Sequence, residues 1–375
     1  MVSAPFPAAP EVRLERLRAE EIDAALARAP IAWLPLGALE YHADHLPNGT
    51  DGIVGHGVLW RAAQLAGGVV LPWSYVTMGT LALPWSLRFD PSIVAEVLRQ
   101  TLRQLAANGV RLAVIHTGHG PLDLNHLIKR VCAEVEDEGI GMQAMGLCYL
   151  ELNAALGTGL GTDWPVAVDH GSTMETSWVA ALEPDLVRVD RLPPDPATSI
   201  VGVYGPNPRF TKDAETGTAQ LEAAASLLAE RATAALRGEP VDPLADLRLF
   251  VARYWPERLV LAGRAGPPGD AAGGPAILLT NPAPVSRYIS GASVALDGTE
   301  LPGHGLTLVN PTVGETGELF PAPSLGPEHG FYIRRLQTAE LRLPVPVARG
   351  HHSVELVLGL AGVTDAAYSE PVEFV

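Results

Sequence analysis

Hydrophobic and polar positions along this chain change their spacing near residue 240. Before that point, short continuous apolar runs alternate with helical patterns. Residues 31–36, 68–72, 110–115 and 143–149 each read as a buried strand. Between them lie helices. Residues 19–29 put Ile22, Ala25 and Leu26 on one face, and 52–65 carry Ile53, Val54, Val58, Leu59 and Ala62 behind a cap at Thr50 or Asp51. Asp90-Pro91 opens a third helix whose stripe is Ile93, Val94, Val97, Leu98, Leu102 and Leu105, and Asn108-Gly109 ends it. Helical patterns also span 122–136 and, rich in alanine, 214–237. Strands alternating with helices predict an α/β domain, a mainly parallel sheet with helices on both faces. The right-handed crossover then sets the loops after the first and third strands on one sheet edge, where such sheets bind ligands.

Beyond residue 240 helical periodicity stops. Short β-branched or alternating runs occupy 258–261, 276–280, 292–296, 306–309, 331–336, 341–344 and 354–358, with turns such as Asp297-Gly298 and Arg349-Gly350. This predicts an all-β, sandwich-like domain, and hence domains at 1–240 and 241–375.

Both strand-end loops of the first domain are dense in metal-binding and proton-moving groups. The first, LPLGALEYHADHLPNGTD, holds Glu40, His42, Asp44, His45 and Asp51; the second, HTGHGP, holds His116 and His119. Glu40, His42, Asp51 and His119 form a ligand set suited to Zn, Mn or Fe, and a carboxylate among them can bridge two divalent metal ions. Hydrogen-bonded loops would explain one histidine; four histidines and three acids in two such loops exceed that need. A third cluster, DHGSTMETS, holds His170 and Glu175. Spacing leaves Glu175 two jobs, because Ser172 and Glu175 also fit a capping box. His351-His352 reads as a solvated turn, with no third ligand at a recognisable spacing.

Composition narrows the partners. Hydrophobic residues make up 47% and charged residues 18% of 375, with no apolar run of membrane-spanning length. A net charge of −16 argues against nucleic acid and anionic membranes. Cys132 and Cys148 read as buried thiols rather than a disulfide framework, and the N-terminal stretch lacks the pattern of a signal peptide; the cytoplasm is the expected location. The segment 73–90 is placed to wall a pocket. Its Trp73, Tyr75 and Trp85 are candidates for contact with a flat small-molecule substrate, core packing being the alternative.

The first loop resembles the signature segment of the creatininase (creatinine amidohydrolase) family, in which a glutamate, a histidine two later and an aspartate eleven after the glutamate bind two metals. HTGHG is similar to the family's NGHxxN segment, with Thr117 where Asn is usual, and DHGSTMETSWVAAL to its HAGxxETS region. The resemblance covers about residues 12–240. It implies Glu40 and His119 on one ion, His42 on the other, Asp51 bridging both, and His170 as proton donor to the leaving nitrogen. It places Glu175 in the site and His45 behind it, and implies ring-like homo-oligomers. One departure matters. Creatininase supplies a second glutamate ligand where this chain has Pro121, so Glu175 becomes the candidate acid for the second ion, catalytic or ligating. The activity implied is binuclear metal-dependent hydrolysis of a C–N bond in a small cyclic amide. The alternatives are a peptidase or deformylase of the same family, a metal-dependent lyase or isomerase, and a non-enzymatic scaffold whose β-domain binds a carbohydrate or partner.

Overall fold

In this computed structural model the chain forms two units, one reaching to Asp246 and one from Leu247 onward. The structure describes residues 11–157, 169–254, 259–268, 274–281, 287–310, 318–321, 331–333, 338–360 and 364–375. The Pro-rich tail before residue 11, Val168, and parts of the strands expected at 258–261 and 331–336 lie outside them.

The first unit runs α1 (Ala19–Arg28), β1 (Ile31–Leu36), α2 (Thr50–Ala66), β2 (Val69–Val70), α3 (Pro91–Ala107), β3 (Leu112–Thr117), α4 (Leu122–Asp137), β4 (Gln143–Cys148), α5 (Tyr149–Leu156), α6 (Thr173–Leu182), α7 (Pro208–Thr211) and α8 (Ala214–Leu236). Its four strands are parallel in the order β2-β1-β3-β4. Register decides where the chemistry can gather. Leu36 pairs with Thr117 and Thr117 with Cys148, so β1, β3 and β4 end level and release their loops side by side. Alternation along β1 fills both faces: Ala32, Leu34 and Leu36 meet Val94, Leu98 and Leu102 of α3 and Leu124, Leu127 and Val131 of α4 in one core. Each such buried aliphatic side chain contributes about 1.5–3 kcal/mol. Trp33 points the other way and donates its indole N–H to Gly67 O at 2.8 Å. On that face α2 packs against β1 and β3, with α6 and α8 behind it. The expected cap of α3 is present, with Asp90 accepting from Ser92 N at 2.8 Å ahead of Pro91.

The structure has a helix at Ala245–Tyr254, beyond the point where helical periodicity is read to stop, and two elements of the first unit also differ from the sequence reading. Helix α2 starts at Thr50 with Gly49 as its cap, which moves Asp51 from the cap into the first turn. Helix α5 follows β4 with no intervening loop, and the apolar run Leu147-Cys148-Tyr149-Leu150 gives no periodicity to separate strand from helix. Among the described residues no helix is long and apolar enough to cross a membrane.

Helix α9 (Ala245–Tyr254) precedes the strands of the second unit: β5 (Val260–Arg264), β6 (Ala276–Thr280), β7 (Arg287–Leu296), β8 (Thr299–Glu300), β9 (Thr307–Asn310), β10 (Glu318–Pro321), β11 (Phe331–Ile333), β12 (Thr338–Arg342), β13 (Gly350–Leu360) and β14 (Thr364–Phe374). They form one mixed sheet in the order β10-β9-β12-β6-β5-β14-β13-β7-β11, with β8 paired to β7. The β7–β8 hairpin turns on Asp297 and Gly298 at φ 50° and 76°, the left-handed pair that a two-residue turn requires. His351 and His352 lie in β13 and not in a turn. His352 spends both ring nitrogens, on Asp297 Oδ2 (2.7 Å) and Ala348 O (3.0 Å), so neither is free for an ion.

Candidate metal centre

Four polypeptide segments deliver the site, one of them α6 with Glu175. The loop after β1 carries Glu40 and His42, the first turn of α2 carries Asp51, and the turn after β3 carries His119. Glycine lets them come together. A Cβ on Gly37 would sit 2.2 Å from Gly52 N, and one on Gly118 would sit 2.2 Å from Asp51 O, so only bare backbone allows the start of α2 to rest on the strand ends. Thr117 shapes the second turn: its hydroxyl accepts from His119 N and donates to His119 O, both at 3.0 Å.

The side chains converge in three groups, of which two share Asp51 and the third joins Glu40, His42 and His170. Ligand atoms of Glu40, Asp51 and His119 lie within 4.8 Å of one another, and so do those of His42, Asp51 and Glu175. His119 Nδ1 is 3.0 Å from Asp51 Oδ2 and 3.1 Å from Glu40 Oε2; His42 Nε2 is 3.1 Å from Asp51 Oδ1 and 3.3 Å from Glu175 Oε2. All five residues are buried. His42 Nδ1 lies 2.9 Å from Glu40 O, an acceptor, so Nδ1 carries the proton. Its Nε2 is then the atom that faces two carboxylates. Such a buried convergence of acceptors demands a cation, either a proton or a metal.

Titration behaviour reflects that demand. Burial is the largest influence on His42 and opposes its charge, yet Asp51 and Glu175 outweigh it and hold its pKa well above the usual imidazole range. His119 follows the same balance, with burial opposed by Glu40 and Asp51, and is raised to about 10. For Glu40 and Asp51 burial pushes upward, but the facing histidines hold both carboxyls below their ordinary values.

His170 completes the rim. Its ring centroid is 4.2 Å from that of His42, and Nε2 donates to Tyr41 O at 3.0 Å. Burial, then the charge of His42, lowers its pKa. Its main chain pairs with Tyr204 in both directions. His45 stands behind the cluster, hydrogen-bonded to Thr176 Oγ1 at 3.0 Å, with burial lowering it to about 4. His116 is turned away onto Leu147 O.

The segment 73–90 does line the loop of Glu40 and His42. Leu81 N donates to Glu40 Oε1 (2.5 Å), Tyr41 N to Ser86 Oγ (3.1 Å), Leu87 N to Leu39 O (2.8 Å) and the Asn48 amide to Trp85 O (3.1 Å). Its aromatic residues divide. Trp85 is 83% exposed, Tyr75 lies over Gly49 and Gly52, and Trp73 packs its ring on His56 at 4.7 Å.

The capping question at α6 has an answer the spacing did not offer. Neither Ser172 nor Glu175 caps the helix: the Ser172 hydroxyl donates to Pro206 O, and Glu175 Oε2 accepts from Gly171 N. Asp169 does it instead, accepting from the amides of Ser172, Met174 and Glu175 at 3.2, 3.0 and 3.2 Å. No capping rule flags an acid three residues before a serine, and so sequence reading passed over it.

The family model for creatininase, described as creatinine amidohydrolase, matches residues 15–236. A creatinine amidohydrolase of Pseudomonas putida is 28% identical over 180 residues, which cover 43% of this chain and 68% of that protein. A solved structure of creatinine amidohydrolase (creatininase) aligns with a TM-score of 0.51 at 23% identity, over 62% of this chain and 100% of the other. A tryptophan-to-alanine mutant of creatininase aligns at 0.50 and 24% identity, over 59% and 97%. At such identities the structural likeness speaks for the fold. The family model reaches across more than half of the residues, and its span contains all three ligand groups: this chain belongs to the creatininase (creatinine amidohydrolase) family.

Proposed function

We propose that the buried cluster holds two divalent metal ions, Zn, Mn or Fe, and that the protein hydrolyses the C–N bond of a small cyclic amide. Glu40, Asp51 and His119 would hold one ion, and His42, Asp51 and Glu175 the other. The observation that carries this reading is His42, whose Nδ1 proton is committed to Glu40 O while its Nε2 faces the carboxylates of Asp51 and Glu175. Imidazole nitrogen and carboxylate oxygen are the donors such ions take. Asp51 has one oxygen near each histidine, the disposition a bridging carboxylate needs.

When bound, such ions supply a Lewis acid for the substrate carbonyl and acidify a water between them. The remaining work falls to the protein. With Nε2–H held by Tyr41 O, His170 has Nδ1 to take up a proton and hand it to the departing nitrogen; a pKa below the ordinary value favours the release. Glu40 is kept in place by Leu81 N, and Glu175 by Gly171 N. The wall from residue 73 to 90 presents Trp85 to solvent beside the metal loop, which suits a flat uncharged substrate. Pro121, where the family pattern has a glutamate, caps α4 and has no donor to offer, so the second ion leans on Glu175 and creatinine is not the expected substrate.

The test is metal analysis of the purified protein together with a hydrolysis screen of lactams, hydantoins, formamides and creatinine. About two ions per chain and hydrolytic ring opening of a cyclic amide are the expected results. Turnover confined to formamides or peptides would replace the reading with a deformylase or peptidase of the same family.

A further inference from the structure

The start of α6 holds a competition that the sequence makes visible and the structure decides. Ser172 and Glu175 have the spacing of a capping box, in which Glu175 would reach back to the Ser172 amide. In the structure that amide is taken by Asp169 Oδ1 at 3.2 Å, the same oxygen receives Glu175 N at 3.2 Å, and Oδ2 receives Met174 N at 3.0 Å. Asp169 is buried and is itself anchored, its carbonyl accepting the Tyr149 hydroxyl at 3.1 Å. Glu175 is thereby left with Oε2 on Gly171 N (2.6 Å), one residue short of the box, and 3.3 Å from His42 Nε2. Helix N-termini that lose one acceptor recruit another, and Glu175, already on the neighbouring Gly171 amide, has the capping-box spacing to Ser172.

We propose that Asp169 is a positioning residue whose capping of α6 keeps Glu175 out of the capping box and available to the ion shared by His42 and Asp51. Without Asp169, Glu175 turns to the Ser172 amide and that ion is weakened. The ion of Glu40, Asp51 and His119 takes no ligand from α6 and stays. This rests on the binuclear reading above and deepens it: the two sites differ in what supports them, one by the strand-end loops and the start of α2, the other also through the cap of α6.

The test compares Asp169→Ala, Asp169→Asn and wild type, each reconstituted with Zn or Mn, by metal titration and elemental mass spectrometry, with circular dichroism as the check of folding. Expected is one ion at wild-type affinity and the other weakened by about ten- to a hundredfold in Asp169→Ala, with substantial rescue in Asp169→Asn, which keeps an acceptor oxygen. If Asp169→Ala does not fold, Asp169→Leu, of similar size and without an acceptor, takes its place: selective weakening of one ion supports the proposal, and two unchanged affinities overturn it. Parallel loss of both ions in a folded variant would also overturn it, as would two ions of unchanged affinity in Asp169→Ala. Fewer than two ions in wild type would instead count against the binuclear reading, which keeps the two failures distinct.

Discussion

In the first unit Glu40, His42, Asp51, His119 and Glu175 are buried and face one another, whereas the buried polar side chains described in the second unit, Asn281 and Glu340, each have a complementary partner. Asn281 donates to Ile333 O at 2.9 Å, and Glu340 receives both guanidinium arms of Arg264 at 2.6 and 2.9 Å. Among the described residues, the buried polar side chains of the second unit are satisfied within it. The first leaves His42 Nε2 and Asp51 Oδ2 without a hydrogen-bond partner among the described residues. Such groups are costly to bury, and a fold keeps them where something else completes them. The contrast locates the chemistry in the first unit independently of any resemblance.

The sharpest way to break that contrast is Asp51→Ala. It removes the carboxylate common to both ion sites, so metal content should fall to near zero and hydrolysis by roughly 10³-fold or more. A variant with full metal content would remove Asp51 from the account. Next comes His170→Gln: the proposal that His170 moves a proton predicts a kcat lower by about 10²–10⁴-fold with metal content held, whereas loss of an ion would make His170 a ligand beside Glu40 and His42. Kinetics with parallel metal assay separates the two roles.

Much of this contrast was legible beforehand, and the parts that were not have physical causes. Strand-end loops could be found because β1 and β3 are buried on both faces and therefore read as continuous apolar runs. Glu40, His42, Asp51 and His119 stood out as an excess of ligands over structural need. Glu175 could not be settled, because the residue that frees it, Asp169, acts through backbone amides that spacing rules do not weigh. Trp73, Tyr75 and Trp85 share one sequence segment yet meet different surroundings, since a loop without periodicity does not say which way its side chains turn.

Proton competition gives the third prediction. Without an ion, His119 is held to about 10 and His42 is also raised, so ion binding must displace protons from both. Metal affinity should therefore rise with pH, by about tenfold per unit for each proton displaced, flattening near pH 10 for His119. The stability of the metal-free chain carries the matching sign. Raised imidazoles contribute in full below their unfolded pKa of about 6.5 and lose that contribution as pH climbs through the folded value. The lowered carboxyls of Glu40 and Asp51 contribute above about pH 4 and lose their share in acid. Calorimetric titration in buffers of different ionisation enthalpy, with and without metal, checks both.

Packing supplies the smallest effects. Gly118→Ala would drive a methyl into Asp51 O, destabilising the first unit by about 1–3 kcal/mol and weakening metal binding with it. In the second unit Gly291 has nothing within 4 Å of its added Cβ, so Gly291→Ala should stay within about 0.5 kcal/mol and leave metal content unchanged. Denaturant unfolding of the two variants compares them directly.

The central claim is that the buried carboxylates and imidazoles of the first unit are completed by two ions, the second of them held through Glu175. The measurement that reaches it most directly is metal stoichiometry after reconstitution, on wild type and on Glu175→Gln. Two ions per chain in wild type and one in the variant are the predicted result. No bound ion in reconstituted wild type, or two in Glu175→Gln at unchanged affinity, would contradict it.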